Sequence, residues 1–201
     1  MGIATIVGTH QALAPRPSEV KSSRDVPIAT IDSKVPIATM PLQPLNLHQM
    51  KILFVCLGNI CRSVTAEEVF RTLARKAGVE AQFEVDSAGM IDYHEGELAD
   101  SRMRACASRR GYNLTHRSRP VKTADFSRFD LIVAMDDNNV RQLHNAAPSE
   151  EAKRKVVRMA DYLTEHNYSY IPDPYYDGPE AFELVVTLLE DACGELLRRV
   201  R

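Results

Sequence analysis

The stretch Lys51-Ile52-Leu53-Phe54-Val55-Cys56-Leu57-Gly58-Asn59-Ile60-Cys61-Arg62-Ser63 constrains this chain more than any other. Its apolar run reads as a buried strand that stops at a cysteine. A Gly-Asn step then marks a tight loop, and a helix follows. Cys56 and Arg62 are separated by five residues, so the loop can curl round one anion with the thiol below it and the guanidinium beside it. Strand, glycine-containing loop and helix N-terminus make an anion site, because unpaired N–H groups and the positive end of the helix dipole converge there.

With 201 residues, 44% hydrophobic and 26% charged, the chain can bury one ordinary core. A net charge of −2 gives no attraction to nucleic acid or to a membrane surface, and no apolar run approaches the ~20 residues that span a bilayer. Cys56, Cys61, Cys106 and Cys193 form no spaced disulfide framework, and no secretory apolar segment precedes them, so a cytoplasmic location is expected. The six histidines show no metal-ligand spacing, and no metal site is expected.

Residues 1–49 hold six of the eleven prolines and no aromatic residue, and they are read as a disordered, proline-containing extension. Within it Val26-Pro27-Ile28-Ala29-Thr30-Ile31 nearly recurs as Val35-Pro36-Ile37-Ala38-Thr39-Met40, too short an echo for a structural repeat. The folded domain is placed at 50–201.

After the loop, Ala66, Val69, Phe70, Leu73, Ala74 and Ala77 recur at helical spacing, with Glu67 and Glu68 read as first-turn acids and Gly78 as the stop. Further strands are expected at 82–87, 129–135 and 155–159, and further helices at 98–110, from Asp136 or Asp137 to Asn145, and from Pro179 to Val200. This alternation predicts a single three-layer α/β domain, its mainly parallel four-stranded sheet carrying helices on both faces. Ligands bind such sheets at the strand carboxyl ends, where Cys56 falls. Residues 161–178 read as loop, with Asp173 held between the stiff residues Pro172 and Pro174.

A thiol at a helix N-terminus beside a fixed guanidinium is favoured as the thiolate, the nucleophilic form. Cys56 can then attack a tetrahedral oxyanion held by the loop amides and the Arg62 fork. The departing oxygen needs a proton and the intermediate needs an activated water. One carboxylic acid serves both, and Asp173 on its distant loop is the candidate. Ser63 either donates to the thiolate or caps the helix. Asn59 suits a left-handed conformation that curls the loop. Cys61 either fills the loop or pairs with Cys56 in a redox disulfide. Cys106 and Cys193 are expected in the core.

Val55-Cys56-Leu57-Gly58-Asn59-Ile60-Cys61-Arg62-Ser63, followed by Ala66-Glu67, resembles the phosphate-binding loop of the low-molecular-weight protein tyrosine phosphatases, and Asp173-Pro174-Tyr175-Tyr176 resembles their acid loop. Asp86-Ser87-Ala88-Gly89, Phe129-Asp130 and Met135-Asp136 lie between them in family order. The resemblance implies the phosphotyrosine protein phosphatase I-like fold. It also implies cofactor-free hydrolysis of phosphotyrosine-containing protein substrates and small aryl phosphates through a phosphocysteine intermediate, with a monomer as the default. It implies Cys56 as nucleophile, Arg62 as the phosphate-binding arginine and Asp173 as general acid. Leu57, Gly58, Asn59, Ile60, Cys61 and Ser63 become the loop and its support, His116 and Asp136 polar braces, and Tyr93, Tyr175 and Tyr176 the aromatic walls of the pocket.

The chain departs from the family at Val64, where proline is usual and whose loss predicts modest loosening of the loop. It departs also at Met90, in place of a common threonine, and at Asp177, a carboxylate expected near the pocket mouth. Three other readings share the loop: a thioredoxin-coupled arsenate reductase, a phosphoarginine phosphatase and a non-catalytic phosphate-binding module. The first needs two more cysteines close in sequence, and the second typically has threonine at the position of Ile60. The third sits poorly with an intact Cys56, Arg62 and Asp173.

Overall fold

The computed structural model describes residues 49–201, so the expected extension, Gln49 apart, lies outside the described residues. Strand β1 (Met50–Cys56) is covered on both faces, and its period of two divides the core. Ile52, Phe54 and Cys56 enter one hydrophobic cluster, Leu53 and Val55 the other. β2 (Phe83–Gly89) pairs with one edge of β1, β3 (Leu131–Ala134) with the other, and β4 (Val156–Arg158) with β3. All pairs are parallel, in the order β2-β1-β3-β4.

The helices are α1 (Arg62–Lys76), α2 (Ser101–Arg109), α3 (Asp125–Arg128), α4 (Asp137–Ala146), α5 (Glu150–Arg154) and α6 (Pro179–Val200). Phe70 of α1, Met103 of α2 and Leu189 of α6 build the first cluster, while Phe126 of α3, Leu143 of α4 and Ala152 of α5 build the second. The expected three-layer α/β domain is what forms. From β1 the chain passes to β2 on one side and then crosses to β3 on the other. The strand order therefore reverses between the carboxyl ends of β1 and β3, where Cys56 and Asp136 sit.

Several boundaries differ from expectation. α1 begins at Arg62, because the end of the loop is itself the first helical turn. Glu67 and Glu68 accordingly fall in the second turn, and the first turn holds no acid. Gly78 ends the helix at φ +70. α2 starts at Ser101 rather than 98, since Leu98 bridges to Arg117 and the Asp100 side chain caps the helix by accepting from Arg102 N–H at 2.8 Å. Phe129 and Asp130 lead into β3 instead of joining it, and Met159–Tyr162 is a short 3-10 turn after β4. α3 and α5 were not expected, although Ser149, which accepts from Ala152 N–H at 3.1 Å, followed by Glu150 and Glu151, is a legible helix start.

Candidate active site

Residues 57–61 turn the chain from β1 into α1 around Cys56. Asn59 takes φ +55, and its backbone N–H points back to Cys56 Sγ at 3.3 Å. Ser63 Oγ lies 3.1 Å from the same sulfur. Ser63 is not the cap, because it lies inside the first turn of α1, and the residue at the cap, Cys61, makes no side-chain capping bond. Its hydroxyl accepts from Asn59 Nδ2 at 2.9 Å, which leaves its own proton for the sulfur or for the Ala88 carbonyl at 3.4 Å. β2 closes on the loop through Gly89. A Cβ there would fall 2.9 Å from the Leu57 carbonyl oxygen, so a larger residue would force the backbone to move.

Behind the loop the Asn59 amide has a partner at every turn. Nδ2 donates to Ser63 Oγ and Ser87 Oγ, each at 2.9 Å, while Oδ1 accepts from Arg119 N–H at 3.0 Å and faces His116 Nε2 at 3.2 Å. The Arg119 amide fixes which end of Asn59 is oxygen, so His116 carries a proton on Nε2. His116 Nδ1 faces Glu67 Oε2 at 3.3 Å and Asp86 Oδ1 at 3.6 Å. Burial lowers the pKa of His116 and pushes Glu67 up to about 7, against the pull of Ser87 and Arg71. The protonated form of Glu67 can donate to a neutral Nδ1, and its ionised form pairs with Arg71. The ligand atoms of Glu67, Asp86 and His116 lie close enough together to hold a metal, but Arg71 and Arg119 already balance the two carboxylates at 2.8 Å each.

Arg62 joins this floor to the opposite wall. Its buried Nη1 donates to Asp136 Oδ2 at 2.6 Å and to the Ile171 carbonyl at 3.3 Å, and Nη2 pairs with Asp173. The other oxygen of Asp136 caps α4 by accepting from Asn139 N–H at 2.7 Å, so this residue is brace and cap at once. Ile171 N–H bonds the Met135 carbonyl at 2.8 Å and ties the acid loop to the end of β3. The resulting cavity of about 340 Å³ is lined by Cys56, Leu57, Gly58, Ile60, Cys61 and Arg62, by Ile91, Tyr93 and His94, and by Asp173, Tyr175 and Tyr176 of the opposite wall. Tyr93 stands edge-on to His94, and Tyr175 edge-on to Tyr176, each pair at 4.9 Å between centroids.

The structure thus brings Cys56, Arg62, Asp173 and the three tyrosines to one cavity, and sets Asn59, Ser63, His116 and Asp136 behind it. All four cysteines are free and buried. Burial, with Cys56 and two nearby carboxylates, drives the Cys61 thiol far above its ordinary range. Met90 packs against the second cluster, and Asp177 is not among the cavity lining. Sequence reasoning gave no role to Glu67, Ser87, Arg119 or His94. For Glu67 a signal existed: it lies four residues after Ser63, on the same helical face. For Arg119 and His94, held in irregular loops, there was none.

A family profile described as "Low molecular weight phosphotyrosine protein phosphatase" matches residues 51–201. The chain belongs to this family. It is 42% identical over 153 residues to a low molecular weight protein-tyrosine-phosphatase of Streptomyces coelicolor, a match covering 75% of this chain and 93% of that protein. A crystal structure of protein tyrosine phosphatase from Entamoeba histolytica, with Hepes in its active site, superposes with a TM-score of 0.74 at 45% identity, over 76% of this chain and 97% of the other. Vibrio vulnificus Wzb in complex with benzylphosphonate superposes at 0.66 with 30% identity, over 75% and 99%. Members of this family carry the fold seen here. Among the described residues no helix is long and apolar enough to cross a membrane.

Proposed function

We propose that this chain hydrolyses protein phosphotyrosine and small aryl phosphates, with Cys56 as nucleophile, Arg62 as phosphate ligand and Asp173 as general acid and then base. One observation carries the reading: a thiol at the cavity floor is faced within the same cavity by a buried guanidinium and a carboxyl group on a separate loop. In the first step Cys56 Sγ bonds to phosphorus, the bond from phosphorus to the aryl oxygen breaks, and Asp173 gives that oxygen its proton. In the second a water attacks phosphorus and loses a proton to Asp173. The phosphorus–sulfur bond breaks, the thiolate returns, and inorganic phosphate leaves.

Ser63 and the Asn59 amide, both near the sulfur, support its negative charge at start and finish. Neither step calls for a metal or a cofactor. The aromatic residues of the cavity favour a flat aryl group, and the likeness to a protein solved in complex with benzylphosphonate agrees with it. Cys106 and Cys193 are buried on separate helices, and Cys193 donates to the Ala66 carbonyl at 3.5 Å, which gives no support to a disulfide relay. Ile60 at the cavity wall favours phosphotyrosine over phosphoarginine. We place the enzyme in the cytoplasm as a monomer, a setting that suits its free thiols.

Cys56→Ser tests the assignment. Turnover of nitrophenyl phosphate should vanish while inorganic phosphate still binds, as measured by calorimetry. Substantial residual hydrolysis would remove Cys56 from the mechanism.

A further inference from the structure

We infer that Asp100 and Arg102, at the start of α2, brace the acid loop against the phosphate loop and so set the position from which Asp173 transfers its proton; this rests on Asp173 being the acid. Asp100 is pinned to the phosphate loop, its backbone N–H donating to the Ile60 carbonyl at 2.8 Å. Its carboxylate accepts from Arg102 three times, from the amide N–H at 2.8 Å, from Nε at 3.0 Å and from Nη2 at 2.8 Å, which fixes the guanidinium plane. The same Nη2 crosses to the acid loop and donates to the Tyr175 carbonyl at 2.9 Å. The guanidinium also lies 5.4 Å from the Tyr175 ring centroid and 4.8 Å from that of Phe182 in the first turn of α6. Tyr175 N–H then donates to Asp173 Oδ1 at 3.3 Å. Nucleophile loop and acid are therefore joined by a continuous path through Ile60, Asp100, Arg102 and Tyr175.

This path does a job that the Arg62 contact cannot. Asp173 is also held by Arg62, but a phosphate bound to Arg62 competes for that guanidinium. Arg102 does not line the cavity, so its grip on Tyr175 survives substrate binding. Pro172 and Pro174 restrict the backbone on either side of Asp173, so fixing the Tyr175 carbonyl narrows where the carboxyl can go. Arg102 is a positioning residue: it touches neither substrate nor reacting atoms.

The test compares phenyl phosphate, a poor leaving group, with nitrophenyl phosphate, a good one, in the full chain. Arg102→Met should lower kcat/KM, which reports only the first step, for phenyl phosphate on the order of 10–100-fold, the scale of a misplaced catalytic group, and lower it far less for nitrophenyl phosphate. Inhibition by inorganic phosphate should not change. In an Asp173→Asn background the same substitution should cost nothing further, because the group it positions is gone. Arg102→Lys should recover only part of the loss, since one ammonium cannot reproduce the fork. Asp100→Asn, which keeps a capping oxygen, should show a smaller loss of the same selectivity and carries the test should Arg102→Met fail to fold. Equal losses on both substrates, or an undiminished loss in the Asp173→Asn background, would overturn the brace alone. An Asp173→Asn enzyme without selective loss on phenyl phosphate would instead remove the acid assignment, and the brace with it.

Discussion

The phosphate loop and the acid loop meet over one cavity but are held in opposite ways. Asn59 and Ser63 are fully buried, and every polar group of the Asn59 side chain is matched by a partner that is itself held. The acid loop lies at the surface, with the Asp173 side chain 41% exposed and Tyr176 95% exposed, and it is tied by Ile171, Arg62 and Arg102. The difference follows the chemistry each is assigned. Donors to a phosphate must point inward before it arrives, because reorienting them during the reaction would cost what they supply. An acid that serves two steps, with different partners in each, needs room to move and a tether that is not the substrate's own ligand. Arg62, touching Asp173 on one side and Asp136 on the other, is where the rigid half meets the adjustable one.

Breaking the adjustable half should give the larger kinetic effect. Asp173→Asn keeps the shape of the loop and removes the proton, so hydrolysis of phenyl phosphate should slow by about 10²–10⁴-fold. Nitrophenyl phosphate needs less help in leaving and should suffer less in the first step. If both substrates lose equally in single-turnover measurements, the proton comes from elsewhere.

Breaking the rigid half should appear first as lost stability. Asn59→Ala leaves Arg119 N–H and His116 Nε2–H without their acceptor, removes the amide donor to Ser63 and Ser87, and puts alanine at φ +55. Each orphaned buried group costs about 1–3 kcal/mol, so a loss on the order of 3 kcal/mol is expected in urea unfolding, together with weaker phosphate binding. A variant as stable as the parent would show that the network tolerates a gap and that the loop holds itself.

Much of this contrast was legible in the chain. The strand–loop–helix at 51–63 is local, so one stretch of sequence specifies its geometry, and the αL residue, the thiol and the arginine were each placed by residue type. Asp173 stood out as the candidate acid because it lies on a distant loop between two prolines. What the chain did not disclose depends on contacts between distant segments. Arg119 works through its backbone N–H, which any residue but proline supplies. Arg102 looks like any solvated helix arginine until Tyr175 is seen to lie across it. Glu67 reads as a first-turn acid, and only the packing of α1 against β2 shows it buried and accepting from Ser87.

Glu67 sharpens the comparison with a signature in pH. Folding raises its pKa from 4.5 to about 7, chiefly through burial. The native chain keeps a proton that the unfolded chain releases, so this contribution is complete below about pH 4.5 and fades as the pH climbs through about 7. The difference amounts to something on the order of 3 kcal/mol, by the free energy of a pKa change of this size. Glu67→Gln keeps an amide oxygen to accept from Ser87 and has no proton to release in this pH range. Its stability should therefore lose this slope between about pH 5 and 8. An unchanged slope in denaturant titrations would place the proton on another group.

Val64→Pro, which restores the residue usual in the family, should have the smallest effect. Val64 is buried in the first turn of α1, where a proline gives up no intrahelical hydrogen bond and presets φ. Restricting the unfolded chain there should stabilise by about 0.4–1 kcal/mol, offset in part by lost contacts of the valine methyls in the first cluster. Because the Cys56 surroundings are already fixed by Asn59 and Ser63, kcat should stay within about twofold, a difference of under half a kcal/mol in barrier. A clear gain in phosphate affinity would mean that valine leaves the loop loose and that Asn59 alone does not hold it. A loss of turnover alongside added stability would mean that some give in this first turn belongs to the reaction itself.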